Sequence, residues 1–88
     1  MPKSSQREAI ISRIVTIINE HRTSQNLSLL EVATRAGLSH TMVMRVEKGE
    51  RIPTIDTLLR ISEALGVELS KIVADAERSV KTAKSTPR

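Results

Sequence analysis

Residues 40–48 hold five side chains of types that recognise rather than react: His40, Thr41, Met44, Arg45 and Lys48. On a helix of about 3.6 residues per turn they share one face, opposite Val43 and Val46. Arg45 suits the two acceptors on a guanine edge, Thr41 and His40 donate or accept, and Met44 suits a thymine methyl. A helix fits the major groove of B-DNA, and its N-terminal residues reach base edges there. Lys48 and Arg51 fall where a strand backbone would pass. Ser28, Ser39 and Thr54 each open a predicted helix, beside amides suited to phosphate oxygens.

Other chemistries find little support. The chain has 88 residues, no cysteine and two histidines, His21 and His40. These lie on separate predicted helices without metal-ligand spacing, and no paired carboxylates mark a catalytic pocket. The expectation is therefore no enzyme, no metal and no cofactor. No stretch reads as a signal peptide or a membrane span, so the chain is expected to be soluble and cytoplasmic. Net charge is +4, but Arg78, Lys81, Lys84 and Arg88 lie in the acid-free segment 78–88, which leaves residues 1–77 neutral. A DNA reading must rest on where the cations sit, not on bulk charge.

The positioning elements are all helical. Alternating β-branched runs and hairpin turns are absent. Ser5-Gln6-Arg7-Glu8 has capping-box spacing and predicts a first helix from there to about Ser24. Within it Ile10, Ile11, Ile14, Val15, Ile17 and Ile18 fall in an arc of about 160°. Ser28 and Glu31 form a second capping box, for a short helix ending near Ala36, where Gly37 suits a left-handed stop. Ser39 caps a third helix to about Lys48, with Gly49 behind it. Thr54 caps a fourth through Leu65, stopped by Gly66, with Leu58, Ile61 and Leu65 inward. A fifth begins near Leu69 and buries Leu69, Ile72, Val73 and Ala76; Glu68 is a poor cap for it.

With no Phe, Tyr or Trp, the core must be aliphatic. Two short helices about a tight glycine turn make a helix-turn-helix. Ala33 is small where these helices approach, Val32 and Leu38 fill the corner, and Val43 and Val46 anchor the second helix inward.

The segment SLLEVATRAGLSHTMVMRVEKGERIPTIDTLLRISEALGVELSKIV resembles the Cro and phage-repressor type helix-turn-helix domain, the XRE family. The marks are Ala33-x-x-x-Gly37-Leu38-Ser39, Val43-x-x-Val46-Glu47-x-Gly49, Pro53-Thr54-x-x-Thr57-Leu58 and Ala64-Leu65-Gly66-Val67, within a match from about Ile14 to Val73. The resemblance implies a compact, all-α, five-helix, lambda-repressor-like domain that binds operator DNA, usually as a dimer. It makes residues 39–48 the recognition helix, with His40, Thr41, Met44 and Arg45 on bases. It also pairs Arg22 with Glu47. Leu29 stands where the family commonly has a phosphate-touching glutamine, His21 where a leucine is frequent, and the first helix starts earlier than usual.

The expected organisation is a flexible 1–4, a DNA-binding domain over 5–78, and a basic, disordered tail over 79–88. The expected function is a small transcriptional regulator on a pseudo-palindromic operator: a repressor, a restriction-modification controller or an antitoxin with a toxin or other protein partner. The alternative is a protein-protein adaptor with this fold, favoured by the neutral body and by Leu29. Ile14 and Ile18 match inward positions, which leaves Ile10, Ile11 and Ile17 as a surplus apolar stripe and a candidate dimer surface. Ala76 and Val80 form its rival.

Overall fold

A computed structural model describes residues 3–84. They form five helices and, among the described residues, no strand: α1 Lys3–Ser24, α2 Leu29–Ala36, α3 His40–Glu47, α4 Ile55–Leu65 and α5 Leu69–Lys84.

The sequence-level stops act as expected. Ser28 caps α2 in a full capping box, its Oγ accepting from the Glu31 amide while Glu31 Oε1 accepts from the Ser28 amide. Gly37, φ 71°, then turns the chain out of α2 in the left-handed region, which costs a residue with Cβ about 1–2 kcal/mol. Ser39 Oγ accepts from the Met42 amide to start α3, and Thr54 Oγ1 accepts from the Thr57 amide to start α4. The stop after α1 uses no glycine: Asn26 takes φ 58°, a conformation its short polar side chain tolerates.

The core joins Ile14, Val15, Ile17 and Ile18 of α1 to Val32 and Ala33, Val43 and Val46, Leu58, Ile61 and Leu65, and Ile72 and Ala76. Ile18, Ile61, Ile72, Val32, Val43 and Val46 are fully buried, each worth about 1.5–3 kcal/mol over leaving it in water. Every helix contributes to this one cluster, and α3 is oriented within it by the two helices it packs against, α2 and α1.

Three expectations are corrected. The first helix starts at Lys3, so Ser5 lies within its first turn rather than capping it, and residues 3 and 4 of the segment expected to be flexible are helical. No glycine or proline between Lys3 and Ser5 forces a later start.

The helical ladder of α5 runs on to Lys84, so 79–84 are not a coil. Glycine is absent there and the next proline is Pro87, so nothing breaks the helix; Val80 is half-buried. Residues 85–88 lie outside the described residues.

The surplus stripe on α1 is mostly not surplus. Ile17 is 6% exposed and belongs to the core, Ile10 packs on that core, and Ala76 is fully buried. The long α5 lies along α1 in the most extensive helix pair of the fold and covers what periodicity alone left open. Ile11 is half-buried, and the large apolar side chains most open to solvent lie elsewhere: Leu30, Ile52, Ile55 and Leu59.

Candidate nucleic-acid interface

Helix α3 is held from within. Val43 and Val46 are fully buried, and Glu47 closes the helix end. Its carboxylate accepts from Arg22 Nε at 2.8 Å, Arg22 NH2 at 3.0 Å and Asn19 Nδ2 at 2.8 Å. The third arm of Arg22, NH1, donates to the Leu27 carbonyl at 2.8 Å. One guanidinium therefore ties the end of α1, the entry to α2 and the end of α3. A carboxylate at a helix C-terminus opposes the helix dipole, and the bidentate arginine offsets that cost. The pair implied by the resemblance is thus present; Asn19 as its third member was not anticipated. The one sequence signal for Asn19 is its spacing of three from Arg22, which puts both on one face of α1.

The outward face of α3 has no such ties. His40, Thr41, Arg45 and Lys48 are exposed, and among the described residues none makes a side-chain hydrogen bond or an ion pair. Met44 is half-buried between them. The structure thus brings the four expected base-reading residues and Lys48 onto one exposed surface. Arg51 is exposed too, on the α3–α4 loop, and also lacks a partner among the described residues.

The three hydroxyl candidates differ. Ser28 and Ser39 are exposed caps that still have a hydroxyl proton to give. Thr54 donates its proton to Thr57 Oγ1 at 3.1 Å, so toward a phosphate it offers only the amides it helps to expose.

Arg60 supplies a further positioning contact that sequence reasoning missed. Its Nε donates to Asp56 Oδ2 at 2.8 Å, and NH1 donates to the Ala36 carbonyl at 3.3 Å. The charged hydrogen bond to Asp56 raises the guanidinium pKa further above its ordinary value. The spacing of four between Asp56 and Arg60 was a visible signal for that pair. The reach to α2 was not, since it joins residues 24 positions apart.

The helix-turn-helix family model matches residues 18–72. The chain belongs to this family, of the Cro and phage-repressor type, a class of DNA-binding transcriptional regulators. An HTH-type transcriptional regulator of Haemophilus influenzae is 32% identical over 68 residues, covering 77% of this chain and 65% of that protein. The cryptic phage CTXphi transcriptional repressor RstR of Vibrio cholerae is 27% identical over 63 residues, 72% of this chain and 57% of that one. The matches thus span somewhat under two thirds of these relatives' own length. The crystal structure of the restriction-modification controller protein C.AhdI from Aeromonas hydrophila superimposes with a TM-score of 0.64 at 26% identity. It covers 75% of this chain and 96% of that one.

Proposed function

We propose that this chain is a small transcriptional regulator that reads double-stranded DNA, with α3 in the major groove. One observation carries the reading: α3 is fixed by Val43, Val46 and Glu47, while its opposite face presents the side chains of His40, Thr41, Met44 and Arg45 with no hydrogen-bond partner among the described residues. Arg45 reads guanine, Thr41 and His40 read neighbouring base edges, and Met44 meets a thymine methyl. Lys48 and Arg51, with the α2 and α4 amides beside Ser28 and Thr54, hold phosphates on either side of the groove. Ser39 does the same at the start of α3.

The regulator works as a homodimer. Its contact surface centres on Ile55 and Leu59, which are 67% and 44% exposed and one helical turn apart on α4. Covering them recovers hydrophobic free energy that the monomer leaves unused. A two-fold dimer sets its recognition helices about 34 Å apart on a pseudo-palindrome.

Selection of bound duplexes from a random library tests the reading. A consensus of two inverted half-sites about one helical turn apart is expected. Retention independent of sequence and insensitive to salt is the signature of the adaptor alternative. Sedimentation tests the dimer: Ile55→Glu with Leu59→Glu should give a folded monomer, and an unchanged mass refutes this surface.

A further inference from the structure

A slot of about 340 Å³ runs between the N-terminal half of α1 and the α3–α4 loop. Its α1 wall is the stripe Glu8, Ile11, Ser12, Val15 and Thr16, residues at helical spacing on one face. The loop wall supplies Lys48, Gly49, Arg51 and Ile52. The volume lies within the rough 300–1,000 Å³ range of small-molecule sites.

The two kinds of lining are unsatisfied in different ways. Ile52 is 74% exposed and faces the half-buried Ile11 across the slot, so apolar surface stays wet on both walls. Lys48 and Arg51 have no ion pair among the described residues, and Glu8 on the opposite wall does not clamp either of them. Glu47 is spent on Arg22 and Asn19 and adds no free charge. Thr16 donates to the Ser12 carbonyl at 3.1 Å, so its proton is taken as well. What remains is a hydrocarbon cleft with two cations free of ion pairs on the loop wall and one carboxylate, Glu8, on the α1 wall, a net positive lining once Glu47 is paired with Arg22. Inorganic phosphate would use only the cations, and a neutral hydrocarbon only the cleft.

The geometry points to a small amphiphilic anion as the occupant: a short alkyl body between Ile11, Val15 and Ile52, with a carboxylate or phosphate head on Lys48 and Arg51. Since Lys48 and Arg51 also hold DNA phosphates in the function proposed above, the ligand and the duplex compete for them. The slot is then an effector site, and occupancy releases DNA. The regulatory part rests on the DNA reading; the binding part does not.

Octanoate is the probe, followed by NMR on the whole chain without DNA. Saturable shifts at Ile11, Val15 and Ile52 are expected, with octanol and inorganic phosphate each at least about tenfold weaker. Ile52→Ser should weaken octanoate by about tenfold and leave the fold and DNA affinity intact, since the side chain stands in solvent and is not among the groups assigned above to bases or phosphates. Leu59→Ser, on the other apolar patch, should leave octanoate binding unchanged. Octanoate should also lower the affinity of the unmodified protein for its selected duplex, but not that of Ile52→Ser.

Shifts centred on Leu59, equal binding of octanol, or binding only to phosphatidylglycerol vesicles would each overturn the site. Octanoate binding in the slot with undiminished duplex affinity overturns the regulatory part alone. Slot binding by a protein that selects no duplex leaves the site standing and removes the DNA reading instead.

Discussion

Glu47 and Arg45 stand two residues apart on α3 in opposite surroundings. The side chain of Glu47 is 7% exposed and its carboxylate takes three hydrogen bonds from two residues of α1. Arg45 is exposed and has no partner among the described residues. Both carboxylate oxygens of the inner group are hydrogen-bonded from within the fold, so it sets where the helix sits. The outer group has every donor open, so it is free to bond to something that is not the protein. A reading head needs both: the closed network keeps the open groups in register, and the open groups take no part in stability. Changes on the inner face should therefore move stability, and changes on the outer face should move binding alone.

The largest expected effect is on the inner face. Glu47→Ala leaves the largely enclosed Arg22 guanidinium without its carboxylate and should cost about 3–5 kcal/mol, read as a lower urea midpoint. Replacing both partners, Arg22→Met with Glu47→Leu, should cost clearly less, because no charge is stranded. An equal loss in the two variants would mean that the pair is a surface decoration.

Next comes the outer face. Arg45→Ala should weaken the selected duplex by about 1–3 kcal/mol and relax preference at one base pair per half-site. Its Tm should not move. A loss shared equally by random duplex would assign Arg45 to phosphate instead.

A smaller effect separates two turns of like geometry. Gly37 and Gly66 have φ 71° and 72°, and alanine at either should cost about 1–2 kcal/mol. A Cβ at Gly37 would also meet Arg60 NH1 at 3.1 Å, whereas Gly66 has open space. Gly37→Ala should therefore cost more, and the excess should vanish in an Arg60→Ala background. A persistent difference would put the cause elsewhere in the turn.

The smallest effect is one of pH. The Ser28 amide, chiefly, holds the Glu31 carboxyl below its ordinary pKa. That stabilisation is complete above the ordinary carboxylate pKa and is lost as pH falls through the depressed one. The unmodified protein should thus lose slightly more stability than Glu31→Gln between neutral pH and acid; parallel curves would show that the box is not formed in solution.

Local signals were legible in the sequence because local physics sets them. Ser28, Ser39 and Thr54 cap where the chain offers a hydroxyl before a helical run, and Gly37 and Gly66 stop helices where a Cβ would be costly. The burial of Val43 and Val46 followed from their spacing. What periodicity cannot see is which distant element covers a face. Ile17 reads as a spare apolar position until α5 is laid along α1, and the exposure of Ile55 and Leu59 is invisible because nothing in their own helix says that no neighbour arrives. The Arg22–Glu47 pair, 25 residues apart, came from family resemblance rather than from pattern. The extension of α5 to Lys84 does not show in its polar composition, because composition sets what a helix can bury, not whether it continues.

The all-aliphatic core has an experimental consequence of its own. Without Trp, Tyr or Phe the chain carries no indole, phenol or phenyl group, so it is nearly transparent in the near ultraviolet. A single tryptophan can then be introduced as the molecule's sole fluorophore, with no background to subtract. Ile52→Trp would place that lamp on the lip of the slot, at a side chain already in solvent. Its emission colour would report directly whether hydrocarbon, DNA or water lies beside the loop.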